Sequence, residues 1–243
     1  MTKVALFVTC IVDMLFPDVG EAALDILEGQ GISVEFPEAQ TCCGQPAFNA
    51  GFQADARPVA EHFLDVFGGY DAIVTPSGSC ASMVRHYYPE LFKGHARQAE
   101  AEAVAARTWE LTQYLVDVLG VSRLGTSLRK PTRAAIHDAC HGYRALGIGR
   151  QPRLLLSHVG NLSLVELPGH DQCCGFGGLF AIKMGQISAA MLNDKLANIQ
   201  ATDCDIIITG DASCAMHMNG GLSRSRSTKR VVHVAEVLAG RLT

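Results

Sequence analysis

Two short stretches decide how this sequence is read: Cys42-Cys43-Gly44-Gln45-Pro46 and Cys173-Cys174-Gly175-Phe176-Gly177-Gly178. Each follows an apolar run of strand character, over 32–36 and 162–167. The order of features around them is the same in both halves of the chain. Upstream, an apolar strand over 4–9 or 133–137 leads to Cys10 or Cys140, and a helical pattern over 18–29 or 151–158 follows. Downstream, a helical pattern over 53–67 or 186–199 precedes a β-branched strand over 72–75 or 206–209. That strand runs into Pro76-Ser77-Gly78-Ser79-Cys80 in one half and Gly210-Asp211-Ala212-Ser213-Cys214 in the other. Matched cysteines stand 130, 131 and 134 positions apart, so the chain reads as an internal duplication.

Strands alternating with helices place both halves in the α/β class: two pseudo-symmetric, Rossmann-like units with mainly parallel sheets. The halves are assigned to 1–119 and 132–243, with the polar segment 120–131, holding two Gly and one Pro, as linker. A long helical pattern over 97–119, containing Trp109, is expected to join them. A last helix over 231–241 is expected to pack on one half. The stretch 220–230 reads as a mobile basic loop, or more sharply as a loop that contacts a partner.

Composition narrows the function. The 243 residues carry 20 Lys and Arg against 24 Asp and Glu, a net charge of −4 without the basic footprint of a nucleic-acid binder. With 48% apolar and 18% charged residues the chain is globular rather than disordered. No run approaches the ~18 apolar residues of a membrane span, which leaves only peripheral membrane association open. The first residues, with Lys3, a short apolar run and Cys10, superficially resemble an export signal. Asp13 interrupts that run, no small-residue cleavage site follows, and its counterpart at 134–140 lies in mid-chain. A cytoplasmic, reducing setting is therefore expected, where clustered cysteines serve as metal ligands or redox groups. Nine cysteines, an odd number, exclude full disulfide pairing within a monomer.

In parallel α/β sheets ligands sit beyond the carboxyl ends of the strands. Cys10, Cys42, Cys43 and Cys80 each follow a strand of the first half, and Cys140, Cys173, Cys174 and Cys214 do so in the second. Folding should bring each set of four thiols together, under helix N-termini that favour thiolates. Gly44 and Gly175 are expected to take positive φ or to admit a bulky inorganic centre, as are Gly78, Gly177 and Gly178. Four thiolates suit tetrahedral zinc or an iron–sulfur cluster equally by ligand type. The intervening spacings, 31 and 36 residues in one half and 32 and 39 in the other, exclude a small zinc ribbon and leave both ions open. A thiol–disulfide enzyme using the vicinal pairs ranks last, because a vicinal disulfide demands a strained turn. Cys204 has no partner in the repeat and reads as a buried inert thiol. His141 and His217, near Cys140 and Cys214, are candidates to hydrogen-bond a cluster sulfur. His62, His86, His95, His158, His170 and His233 carry no usable pattern. The glycines at 175–178 complete no dinucleotide fingerprint.

These motifs, with His137-Asp138-Ala139-Cys140-His141-Gly142, resemble those of the cysteine-rich CCG-domain family over nearly the whole chain. That family includes one of the subunits of heterodisulfide reductase and the iron–sulfur subunit of glycolate oxidase. The resemblance implies iron–sulfur clusters and electron transfer. Its nearest branch implies a role in oxidising L-lactate to pyruvate with two partners, lactate utilization proteins B and C. The chain would then be an oxidoreductase subunit, and no catalytic residue is assigned in it. The wider family often ends each motif in Cys-x-x-Cys, but here Ser77 and Asp211 stand at the first of those positions. Each half thus offers four thiols, and one [4Fe–4S] cluster per half is expected, with zinc as the alternative in one or both. Ser77 and Asp211 are expected as helix caps or outer contacts rather than ligands.

Overall fold

The computed structural model describes residues 3–242; residues 1, 2 and 243, the outermost ends of the two expected halves, lie outside the described residues. The first half contains β1 (Val4–Leu6), α1 (Cys10–Leu15), α2 (Pro17–Gly29), β2 (Val34–Glu35), α3 (Gln45–Asn49) and α4 (Gln53–Phe67). It continues with β3 (Ala72–Thr75), α5 (Gly78–Ser82), α6 (Tyr88–Leu91), α7 (Gln98–Ala106), β4 (Thr108–Glu110) and α8 (Leu111–Gln113). The second half contains β5 (Ser127–His137), α9 (Arg150–Leu156), β6 (Gly160–Val165), α10 (Phe180–Lys183) and α11 (Gly185–Ala201). It closes with β7 (Ile206–Thr209), α12 (Ala212–Arg224), β8 (Arg230–His233) and α13 (Val234–Leu238).

The described strands form two four-stranded parallel sheets, in the order β2-β1-β3-β4 and β6-β5-β7-β8. The two orders are the same order written twice, and their registers superpose. Val4 pairs with Ala72 and Leu6 with Val74; Ala134 pairs with Ile206 and Ile136 with Ile208. Phe7 and His137 therefore occupy equivalent places, one residue beyond Leu6 and Ile136. At the outer edges Thr75 pairs with Glu110, and Thr209 with His233. Central strands such as Ala72–Thr75 and Ile206–Thr209 are buried along their full length, as strands covered on both faces require.

Several expectations are corrected. The helix expected over 97–119 is interrupted, because Thr108, Trp109 and Glu110 pair with β3 as a fourth strand. The helix expected over 231–241 begins as a strand for the same reason: Arg230–His233 pairs with β7, and the helix is only Val234–Leu238. Both errors fall at equivalent places, where three or four residues are recruited by a strand distant in sequence. The expected linker is shorter than read: 120–126 is irregular, but 127–131 already belongs to β5, which starts at Ser127. Pro131 is tolerated there beside the register shift between Ser127 and Thr132. The basic stretch 220–230 is not one loop: α12 runs to Arg224, and the Lys229 ammonium caps the carbonyls of Ile199 and Gln200 at the end of α11.

The last helix does not pack on one half. It lies against α2 of the first half and α9 of the second. One apolar cluster joins Val19, Ala22, Ile26 and Leu115 to Leu155, Val234, Val237 and Leu238, so the seam between halves is itself core. Arg241 closes it at the surface, bonded to Glu21 and Asp25.

Candidate metal centre

The topology brings both sets of cysteines to the seam. Cys10 opens α1 after β1, Cys42 and Cys43 sit in the loop after β2, and Cys80 lies in α5 after β3. The second set repeats this after β5, β6 and β7. All eight line one cleft of about 100 Å³, together with Thr9, Gln45, Asn49, Ser79, His141 and Ser213. In each set two cysteines are buried, Cys43 and Cys80 or Cys174 and Cys214, while Cys10, Cys42, Cys140 and Cys173 are half-buried.

The internal geometry matches between halves. Cys43 Sγ is 3.4 Å from Cys80 Sγ, and Cys174 Sγ is 3.3 Å from Cys214 Sγ. Cys10 Sγ is 3.7 Å from Cys42 Sγ, whereas Cys140 Sγ lies 3.6 Å from His141 Nδ1. Gly44 and Gly175 have φ of 82° and 91°, the left-handed region that favours glycine. That turn aims their amides back, so Gly44 N donates to Cys42 Sγ and Gly175 N to Cys173 Sγ, both at 3.4 Å. A side chain at Gly175 would also drive a Cβ to 2.6 Å from the Ser188 carbonyl. Gly78 serves another purpose: a Cβ there would meet Gly142 Cα at 3.0 Å, so it lets the two halves approach.

Hydrogen bonds from Cys10 and then Cys43, with the Gly44 amide, hold the Cys42 thiol far below its ordinary value. Cys173 is lowered by the corresponding bonds from Cys140 and Cys174. The donors, Cys10, Cys43, Cys140 and Cys174, are pushed up, first by those same bonds and then by burial. Negative charge thus concentrates on the middle cysteine of each set, the one under the glycine amide. The donor set fits a thiophilic metal or an iron–sulfur cluster. The Sγ separations are close to the ~3.8 Å edge of a tetrahedron with ~2.3 Å metal–sulfur bonds. A multinuclear cluster needs the sulfurs further apart, and the half-buried cysteines face the cleft into which they would open.

Ser77 and Asp211 are helix caps. Ser77 Oγ accepts from Cys80 N, and Asp211 Oδ1 from Ser213 N at 3.2 Å. Asp211 also reaches across the seam, where its Oδ2 accepts from Ser79 N at 2.9 Å. One buried carboxylate therefore caps the helices that carry Cys80 and Cys214. His217 turns to Ser188 Oγ at 3.5 Å and packs on Phe176. Cys204 is buried elsewhere, below the second sheet, and burial raises its thiol.

Three residues behind the cleft carried no role in the sequence reading, His137 having entered only within a motif. His137 is 1% exposed, and its ring nitrogen lies within 4.8 Å of Cys174 Sγ and Cys214 Sγ. Burial pushes its pKa down to about 4, which keeps the ring neutral. Glu110 and His233, the paired residues of β4 and β8, both turn inward as helix caps. Burial raises the Glu110 carboxyl to about 7 and lowers His233 to about 4. The repeat offset was a signal for His137, since it sets a histidine against Phe7. Glu110 and His233 gave none, because their strands were not recognised.

The duplicated α/β fold, with a Cys…Cys-Cys-Gly…Cys set in each unit, defines a class, and the comparisons agree. The family described as "CCG: Cysteine-rich domain" matches residues 4–85 and 134–219. The chain belongs to the cysteine-rich CCG-domain family. It is 48% identical over 238 residues to lactate utilization protein A 2 of Bacillus cereus (strain Q1), covering 98% of both chains. It is 47% identical over 240 residues to lactate utilization protein A of Geobacillus kaustophilus, covering 98% of this chain and 99% of the relative. Among solved structures, glutamate racemase RacE1 of Bacillus anthracis is 12% identical with a TM-score of 0.36 over 98% of this chain and 79% of that one, too slight a likeness to bear on function.

Proposed function

We propose that this chain is an iron–sulfur electron-transfer subunit of a system that oxidises L-lactate to pyruvate. The carrying observation is that two matched four-thiol sets open on one cleft. A purely structural zinc site is closed by its ligands and has no reason to share a cleft with a second one. Lactate enters through the names of the relatives, which match this chain end to end at 47–48% identity. Conversion of lactate to pyruvate releases two electrons and two protons. Clusters held by Cys10, Cys42, Cys43 and Cys80, and by Cys140, Cys173, Cys174 and Cys214, would each supply a one-electron acceptor. The chain's own share is to hold the thiolates, bury them and set their hydrogen bonds.

The cleft shows no paired base and cation for a 2-hydroxy acid among its lining residues, so dehydrogenation belongs to a partner. Lactate utilization proteins B and C are the partners this reading assigns. Exposed apolar side chains near the cleft support a docking face: Met14 and Phe36 border a hollow that reaches Cys10 and Cys42, and Met184 borders another that reaches Gly177. No helix among the described residues is long and apolar enough to cross a membrane. A cytoplasmic location is part of the proposal, as is the division into units 1–119 and 132–243.

A zinc-binding, non-redox protein is the second reading, favoured by sulfur spacings of 3.3–3.7 Å. Anaerobic purification followed by metal and sulfide analysis separates the two. The iron–sulfur reading expects about four iron and four labile sulfide per half. Stoichiometric zinc without sulfide overturns it.

A further inference from the structure

We propose that His137 donates its one N–H to the Cys174–Cys214 sulfur pair, and that this makes the second site easier to reduce than the first. The proposal rests on the iron–sulfur reading above and adds an inequality between its two sites.

The His137 ring is buried, and neither Nδ1 nor Nε2 has a well-formed hydrogen bond among the described residues; the nearest backbone acceptor, the His170 carbonyl, already receives the Asp138 amide at 3.0 Å. An unpaired buried imidazole is costly, so such a group needs a partner that belongs to the site. Its polar neighbours are already committed. Asp138 takes both guanidinium arms of Arg153, at 2.9 and 2.8 Å, and His170 Nδ1 at 2.7 Å. The Lys195 ammonium donates to the Gly169 carbonyl. The sulfurs of Cys174 and Cys214 lie within 4.8 Å of the ring and, when they ligate, are thiolate acceptors. The ring also borders a cavity of about 30 Å³ shared with Glu110 and Thr209, which can serve its second nitrogen.

The first half lacks this device. Its equivalent residue is Phe7, fully buried, with its ring 5.0 Å from Phe63. A neutral imidazole offers one N–H. A donor to a cluster sulfur favours the reduced form, which carries one more negative charge, and so raises the potential. A phenyl ring offers no such donor. His137 is a positioning residue: it acts through the sulfurs and ligates nothing.

The test is a redox titration of the cluster-loaded full chain, with dithionite as the electron donor and electron paramagnetic resonance as the readout. Cys43→Ser and Cys174→Ser variants assign the two signals. His137→Phe copies the first half; His137→Gln restores an N–H. The expected result is unchanged iron content and a lower potential for the second site alone, by about tenfold in its reduction equilibrium, or ~59 mV for one electron. His137→Gln should recover part of the shift. The proposal is overturned if His137→Phe moves neither potential or both equally. Loss of iron from the second half alone also overturns it, since His137 would then be a ligand or a structural support. Zinc without sulfide in the parent protein is the separate failure of the iron–sulfur reading. The contact is then read in the cobalt-loaded protein, where His137→Phe should move the sulfur-to-metal charge-transfer band of the second site to longer wavelength. An unmoved band overturns the hydrogen bond itself.

Discussion

Behind the cysteines of the first half the wall is carbon; behind those of the second it is nitrogen. In the first half Phe63 and Phe67 stack and Phe7 packs edge-on against both, all with ring centroids within 5.4 Å, and the Tyr88 hydroxyl donates to the Cys43 carbonyl at 3.0 Å. In the second half His137 replaces Phe7. Lys195 replaces Phe63, because Gly44 packs against Ala56 and Val59 as Gly175 packs against Ser188 and Met191. Lys195 is 1% exposed and burial lowers its pKa, although the nearby cysteine thiolates oppose that shift. The duplication kept the donor set and changed what stands behind it. That is how a protein makes two chemically identical centres unequal: ligands decide what binds, and the second layer of dipoles decides its energy.

The largest effect that would break this comparison is loss of a site. Cys43→Ser and Cys174→Ser should each remove the metal of one half and leave the other, measured as metal per chain. Retention of full metal by both variants would discard the ligand assignment.

Next in size is the contrast between the walls. Phe63→Ala should cost ~3–5 kcal/mol in urea unfolding of the metal-free protein, as deletion of a buried aromatic does. Lys195→Met keeps the volume and loses one hydrogen bond, for ~1–2 kcal/mol. Equal costs would mean that the ammonium and its bond to Gly169 hold the second wall as strongly as an aromatic ring holds the first; no cost at all would mean that the lysine stem suffices.

Glu110 and His233 carry the same contrast to the sheet edges with opposite sign in pH. The folded state holds the Glu110 proton from the ordinary 4.5 up to about 7. The unfolded chain therefore binds fewer protons in that window. The Glu110 contribution is complete below pH 4.5 and is lost as pH rises through about 7, on the order of 3 kcal/mol. His233, depressed from 6.5 to about 4, loses stability as pH falls through that range. Glu110→Gln should flatten the decline between pH 5 and 8 in denaturation curves. An unchanged slope would show that Glu110 is ionised throughout.

The smallest effect tests what joins the halves. Asp211→Asn keeps the shape but weakens two charge-assisted caps, and should cost ~1–2 kcal/mol. If Asp211→Asn combined with Ser79→Pro, which deletes the bonded amide, is strictly additive, the contact across the seam carries no energy of its own.

Much of this was legible in the chain. Periodicity and the Cys-Cys-Gly repeat located six of the eight strands and all eight cleft cysteines, because each signal is local: a β-branched run, a turn glycine, a cysteine at its end. Strands β4 and β8 were missed because each lies directly against a helical pattern and was read as part of it, over 97–119 and 231–241. They are strands only because Ile73 and Ile207 lie beside them. His141 and His217 drew notice by sequence distance from cysteines, whereas His137 lies nearer two sulfurs of the set than its place in the chain suggests.

The sequence by itself determined the duplication, the α/β class and the two sets of four thiols. Those follow from composition and spacing, which need no partner to be read. Tertiary structure alone decided that the sets share one cleft, that Asp211 caps a helix in each half, and that carbon backs one set and nitrogen the other. Each is a contact between residues tens to more than a hundred positions apart. Such contacts depend on which faces the apolar seam of α2, α9 and α13 presses together.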